Sequence, residues 1–348
     1  MTKGKVHDYL GMTIDYSKQG CVQYIMDDYV EGILAESPQE LLPGRAETPA
    51  ASYLFEISDS AEPLSKGDAE RFHHLTAKLL YLCKRARPDL QTAVSFLATR
   101  VQSPTTEDEK KLWRCIAYLK KYPNLRLTLR ADDDHLMHWW VDAAFAVHHD
   151  MRSHTGGTFS MGKGSIFSTS TRQKLNTKSS TEAELVGVDD MMPLVLWTRE
   201  FLKAQGYPIS DNVVYQDNKS AILLENNGKI SSGKRTRHLN IRYYFVTDRI
   251  NNNELKIEYC PTEEMVADFF TKPLQGSLFR KLRATILNLD DEDPKMNPSV
   301  KQECVGPGDP HSSVTHCPSL ALFAVLGQMT LVTIVMTCLL YTSDAADD

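Results

Sequence analysis

At 348 residues and 39.3 kDa the chain is too long for one small module and has room for two domains of about 100 to 200 residues each. A composition of 42% hydrophobic and 24% charged residues, with ordinary Gly and Pro, excludes wholesale disorder and collagen-like architecture. The net charge of -6 and pI near 6.0 exclude nucleic-acid binding by bulk positive charge, so any such binding must come from a local patch.

The seven cysteines are odd in number, scattered and never spaced as C-x-x-C, which speaks against a disulfide scaffold or zinc finger and for a reducing compartment. No apolar stretch follows the first lysines, so no secretory signal is read at the N-terminus, and an intracellular location, cytoplasmic or nuclear, is expected.

In chain order, VHDYLGMTIDY reads as a strand, and a turn at 18–20 leads into CVQYIMDDYVEGIL, a strand followed by a helix. Residues 37–65 read as connecting loops. Helices are expected over 68 to about 85 and 88–101, broken at Pro88 because the residue before a proline is pushed out of the α region. A third helix opens at Pro104-Thr105-Thr106, with Thr106 and Glu109 as a capping box and Leu112, Cys115, Ile116 and Leu119 on one face.

From residue 125 the pattern changes to strands: LRLTLR, HLMHWWVDAAFA, GGTFSM and GSIFSTSTR, divided by Gly or Asp turns. A long helix over 179–205 ends at Gly206 and Pro208. A short strand at 212–216 enters a helix at 218–225, and further helix, strand and helix follow at 239–250, 255–259 and 262–270. This order predicts a mixed α/β domain over 125–290 behind a smaller α-rich segment over 37–124, with a flexible linker over 291–317.

Residues 318–340 carry no charged residue and are long enough to span a bilayer, though Gln328, Thr330, Thr333 and Thr337 dilute them. The last eleven residues, 338–348 (CLLYTSDAADD), resemble the translation of a sequencing-library adaptor. A read-through or artefactual tail is therefore the expectation for 318–348, ahead of a transmembrane span or a soluble core helix.

Four acidic residues stand where an isolated carboxylate is hard to justify structurally. Asp142 interrupts WWVDAAF, Glu184 borders the buried stripe of its helix, Asp217 ends the strand NVVYQ, and Asp268 is surrounded by Val266, Phe269 and Phe270. Clustered carboxylates raise one another's pKa unless a cation neutralises them. Oxygen-only ligands favour Mg²⁺, with Mn²⁺ as substitute, and two such ions would support phosphodiester hydrolysis. The densest basic stretch, Lys229, Lys234, Arg235, Arg237, His238 and Arg242, is the expected phosphate contact, with Arg152, Ser153 and Thr155 adding to it unless Gly156-Gly157 is a simple turn.

The runs GSIFSTSTRQKLNTKSSTEAEL, VLWTREFL, YQDNKSAILL, KRTRHLNIRYYFVTDRI and VADFFTKPL resemble the ribonuclease H domain of Ty1/copia-type retrotransposon polyproteins. Upstream, HDYLGMTI and LLYLCKRARPDLQTAVSFLATRV resemble the end of the reverse transcriptase and its connection, so that 1–36 would be the last part of its palm and 37–124 a thumb or connection segment. The resemblance covers residues 6 to about 290. It implies a ribonuclease H-like mixed sheet with helices, preceded by a smaller α-rich remnant of the reverse transcriptase, and cleavage of the RNA strand of RNA/DNA hybrids with two Mg²⁺ ions.

Catalytic and metal-binding roles carry over to Asp142, Glu184, Asp217 and Asp268, while Glu182 is read as the capping partner of Ser179. The sequence VDAAFA lacks the second acidic residue that the family usually carries near its first Asp. A catalytically inactive remnant that only binds nucleic acid is the alternative. An integrase is disfavoured by the absence of a Cys/His cluster. Asp27-Asp28 is read as a surface helix start, and the polymerase carboxylates are expected upstream of Met1, in the rest of the polyprotein, so no DNA synthesis is expected of this fragment.

Overall fold

A computed structural model of the chain describes residues 4–228 and 240–289. It is a mixed α/β structure with two five-stranded sheets. The basic residues Lys229, Lys234, Arg235, Arg237 and His238 and the stretch 290–348 lie outside the described residues. Among the described residues no helix is long and apolar enough to cross a membrane.

The first sheet begins with β1 (Val6–Tyr9) and β2 (Met12–Asp15), which pair antiparallel around a two-residue turn. Leu10 and Gly11 both have positive φ, +49° and +71°, as a primed hairpin turn requires, so the expected single strand is a hairpin. Strand β3 (Val22–Ile25) follows, and Met12, Ile14, Val22 and Tyr24 alternate into the core with period two. Helix α1 (Asp27–Glu36) has Asp27 and Asp28 in its first turn, as read from the sequence, with Asp27 paired to Arg126 at 2.8 Å.

The α-rich block is α2 (Lys66–Cys83), a 3₁₀ turn at Pro88–Leu90, α3 (Gln91–Ala98) and α4 (Thr106–Lys121). Its capping box sits one residue earlier than the sequence suggests: Thr105 caps α4 and Asp108 reaches back to the Thr105 amide at 2.9 Å. Leu112, Cys115, Ile116 and Leu119 are all fully buried, as expected of one apolar face.

Strand β4 (Leu127–Ala131) pairs with β3 rather than with its successor β5 (Leu136–Ala144). After β6 (His154–Ser160), the short β7 (Gly162–Lys163) closes the first sheet in the order β1-β2-β3-β4-β7. The second sheet comprises β5, β6, β8 (Phe167–Arg172), β9 (Asp211–Gln216) and β10 (Lys256–Tyr259) in the order β10-β9-β5-β6-β8. The β6 pairings with β5 and β8 are antiparallel, and those of β9 with β5 and β10 are parallel. This is the ribonuclease H-like arrangement expected from the sequence.

Helix α5 (Ser180–Ala204) packs on β5 and β6, with Val188, Met192 and Val195 buried in the core. It ends at Gly206, whose φ of +76° is the left-handed conformation of a helix stop. Helices α6 (Lys219–Asn227) and α7 (Asn240–Asn251) lie beside it. The four-residue α8 (Asp268–Thr271) and then α9 (Gly276–Leu287) complete the described chain, in place of the single helix expected from 262.

One buried polar network joins the α-rich block to α9. Arg87 forms a two-pronged pair with Asp89, at 2.9 and 2.8 Å, while the Tyr118 hydroxyl donates to Asp89 and Arg283 donates to Tyr118 at 3.1 Å. Burial pushes the Asp89 carboxyl up, but the Arg87 guanidinium more than offsets it and holds the group below the usual carboxylate range. Asp89→Asn leaves the Arg87 charge buried without its counter-ion, so urea unfolding should show a loss of about 3 to 5 kcal/mol. A loss under about 1 kcal/mol, the range of an exposed pair, would show that the network is not a structural anchor.

Candidate active site

The site forms where three elements of the second sheet and its helices converge. Asp142 lies near the end of β5, on the face that His138 and Trp140 share by strand alternation. Asp217 follows the last residue of β9, and the Asn218 side chain fixes the strand-to-helix turn by accepting from the amides of Ser220 and Ala221, both at 3.1 Å. Glu184 enters from the second turn of α5, which begins at the N-cap Ser179. Glu182 does support that cap, accepting from the Lys178 amide at 2.7 Å.

One oxygen each from Asp142, Glu184 and Asp217 lies within 4.8 Å of the others. Asp142 and Glu184 are buried, at 3% and 5% exposure, whereas Asp217 is half-buried and opens the cluster to solvent. Asp268 heads α8 and meets the cluster through Asp142 and Lys272: the Lys272 ammonium lies 2.6 Å from Asp268 Oδ1 and 3.6 Å from Asp142 Oδ2. The four carboxylates singled out in the sequence are thus neighbours in space.

Apart from Lys272, neighbouring hydroxyls orient these carboxylates without neutralising them. The Thr271 hydroxyl donates to Asp142 Oδ2, and Thr262 donates to Asp217 Oδ2 at 3.1 Å. Burial first, then the charges of Asp142 and Asp217, push the Glu184 carboxyl well above its ordinary range. Burial and the neighbouring Asp142 push Asp268 up to about 6, against the pull of Lys272. Among the described residues, buried Glu184 Oε2 has no hydrogen-bond partner. An all-oxygen donor set with one buried orphaned acceptor suits a hard divalent cation, which Asp142, Glu184 and Asp217 could hold.

Two supports were not legible in the sequence. The first is Gly156, which lies in β6 directly across from Asp142, so that Gly156-Gly157 is mid-strand and not a turn. A Cβ there would come within 2.6 Å of Thr271 Cγ2 and 2.9 Å of the Phe270 carbonyl carbon, so the glycine is what lets α8 close on β6. The second comes from the α-rich block, where Thr92 on α3 donates to the Phe269 carbonyl at 2.6 Å, next to Asp268.

Of the expected phosphate contacts, Lys234, Arg235, Arg237 and His238 lie outside the described residues, and of Arg242 only the helical backbone is described. Arg152 is paired with Asp150 at 3.2 Å. Ser153 and Thr155 are buried, hydrogen-bonding Thr177 and Gln173 at 3.0 Å each, which makes them internal supports and not surface contacts.

No protein-family model matches the chain. It is 29% identical over 243 residues, 67% of its length, to the retrovirus-related Pol polyprotein from transposon TNT 1-94 of Nicotiana tabacum. It is 29% identical over 221 residues, 63% of its length, to that from transposon RE1 of Arabidopsis thaliana. Its homologues are Ty1/copia-type retrotransposon Pol polyproteins. The chain spans only 18% and 15% of those two relatives' own lengths. The transposon Ty5-1 protein of Saccharomyces cerevisiae, 26% identical over 187 residues, is covered to 59%, and the match takes in 53% of this chain.

A second buried acid stands behind the site. Glu225 on α6 is fully buried, neither carboxylate oxygen has a hydrogen-bond partner among the described residues, and burial raises its pKa from 4.5 to about 8. Below pH 4.5 both folded and unfolded chains carry the proton and nothing is lost. Between pH 4.5 and 8 the unfolded chain releases a proton that the folded chain keeps, so stability falls as pH rises, by on the order of 3 kcal/mol at pH 7. Above pH 8 the loss is complete. Glu225→Leu should therefore gain stability over the parent progressively from pH 5 to pH 8 in urea unfolding, and two parallel pH curves would refute the buried-acid assignment.

Proposed function

We propose that this chain is a retroelement ribonuclease H that hydrolyses the RNA strand of RNA/DNA hybrids, working beside the upstream part of a larger polyprotein. The observation that carries this reading is the convergence of Asp142, Glu184 and Asp217 within 4.8 Å on a sheet of ribonuclease H-like order, with Asp268 beside Asp142. Its relatives support the retroelement setting by being retrotransposon Pol polyproteins.

Two Mg²⁺ ions, replaceable by Mn²⁺, would be held by Asp142, Glu184, Asp217 and Asp268. When bound they supply an activated water and stabilisation of the departing oxygen. The protein's own part is positioning. Buried Asp142 is central to the cluster and is oriented by the Thr271 hydroxyl. Asp217 is oriented by Thr262 and stands at the half-buried edge through which a phosphodiester would approach. Glu184 keeps one buried carboxylate oxygen without a hydrogen-bond partner among the described residues, which leaves that oxygen available to a cation. Lys234, Arg235, Arg237, His238 and Arg242 would supply the local positive charge that a hybrid's phosphates require on an acidic protein, and Arg152 would add to it by exchanging Asp150 for phosphate.

Labelled hybrid incubated with the full chain and Mg²⁺ should be cut in the RNA strand only. Asp217→Asn and Glu184→Gln should each slow cleavage by roughly 10²-fold or more, and the double variant should be little slower than either, because a shared site fails as a unit. Binding of hybrid without cleavage by the parent, in Mg²⁺ and in Mn²⁺, would favour the non-catalytic binder instead.

A further inference from the structure

We propose that Lys272 is a built-in counter-ion of the Asp142 and Asp268 half of the site, and that a divalent cation can occupy that half only by displacing its ammonium group. This rests on the metal-dependent reading above and adds to it a residue that sets how the ions bind. The four carboxylates are not compensated evenly. Lys272 Nζ lies 2.6 Å from Asp268 Oδ1 and 3.6 Å from Asp142 Oδ2. Among the described residues no cation pairs with Glu184 or Asp217, and Glu184 Oε2 has no hydrogen-bond partner. One half of the site therefore has its positive charge already and the other lacks it.

The geometry also says which partner moves. The Asp142 and Asp268 side chains are 4% and 6% exposed and held by packing, whereas the Lys272 side chain is 40% exposed. Asp142 is tied by Thr271, and Asp268 begins a helix whose next carbonyl, that of Phe269, accepts from Thr92. The carboxylates cannot leave, but a flexible four-carbon stem with one side in water can swing its ammonium into solvent. A cation arriving at Glu184 and Asp217 has no ammonium to displace. One arriving at Asp268 exchanges with an ammonium and gains only the difference. The two positions should therefore fill in order, the second more weakly than the first.

The test is calorimetric titration of the full chain with Mn²⁺, without nucleic acid. The parent should show a tighter and a weaker class of site. Lys272→Met should tighten the weaker class by about tenfold or more while leaving the tighter one nearly unchanged, and Lys272→Arg should keep it weak. A weaker class that is unchanged or loosened in Lys272→Met overturns the proposal. In the unaltered protein, the Lys272 side-chain NMR resonance should shift at the Mg²⁺ concentrations that fill the weaker class, and a resonance indifferent to Mg²⁺ also overturns it. The two readings separate cleanly. Mn²⁺ binding that ignores Lys272 sinks the counter-ion alone, whereas a parent that binds no Mn²⁺ at all sinks the metal-dependent site with it.

Discussion

Carboxylate oxygens of Asp142, Glu184 and Asp217 lie within 4.8 Å of one another, and at an effective dielectric near 20 each ionised pair at that separation repels by about 3 to 4 kcal/mol. Two of the three are buried, so water screens them poorly. A fold that keeps them together must hold each one from its own element and spend stability gained elsewhere. That requirement organises much of the second sheet and its surroundings. Asn218 clamps the turn behind Asp217, Ser179 caps the helix that delivers Glu184, and Thr271 grips Asp142. Burial first, and the neighbouring carboxylate charges after it, hold Glu184 and Asp268 above the ordinary carboxylate range.

The stability that offsets this repulsion comes in part from outside the second sheet. One apolar core runs from the first sheet through the α-rich block to α9, with Phe72, Leu79, Tyr118, Phe159 and Phe270 all nearly free of solvent contact. Strand β4, read in the sequence as the opening of the α/β segment, instead completes the first sheet, and β7 joins it from between β6 and β8. The α-rich block is likewise part of the site's support. Its Thr92 bonds the backbone beside Asp268, and Ser95 and Lys84 bond carbonyls of Ser170 and Ser168 on β8. Cutting the chain near residue 124 would remove these braces together with the Arg87 and Asp89 anchor.

How much of this could be read from the sequence follows from how local each signal is. Asp142 was legible because it breaks the pattern of an apolar strand, and Asp217 and Glu184 because a strand end and a helix start are locally marked. The capping box was misplaced by one residue because Thr105 and Thr106 are chemically equivalent and only the backbone chooses between them. The hairpin at Leu10-Gly11 was missed because leucine rarely takes positive φ, and nothing local announces that it does so here. Lys272, Gly156 and Thr92 carry no local signal at all. Gly156 matters because α8, more than a hundred residues later, needs the room, and Lys272 matters because Asp142 lies across from it in space.

The spacing between Asp142 and Asp217 depends on register, and the residues that set the register lie on the same strands. His138, Trp140 and Asp142 alternate along one face of β5, and Tyr215 on β9 pairs in register with Trp140. The Trp140 and Tyr215 rings stack with centroids 5.4 Å apart, and His138 stacks on Tyr215 with the rings 11° from parallel. Such cross-strand aromatic contacts are where a sheet gains specificity for one alignment. A slip of one residue would turn every side chain of the strand to the opposite face, carrying Asp142 away from Thr271 and Asp268 and toward the packing surface of α5. The aromatic ladder thus does for the two strands what Asn218 and Thr271 do for single residues. It makes the alignment that brings the carboxylates together the one that the apolar surface also prefers.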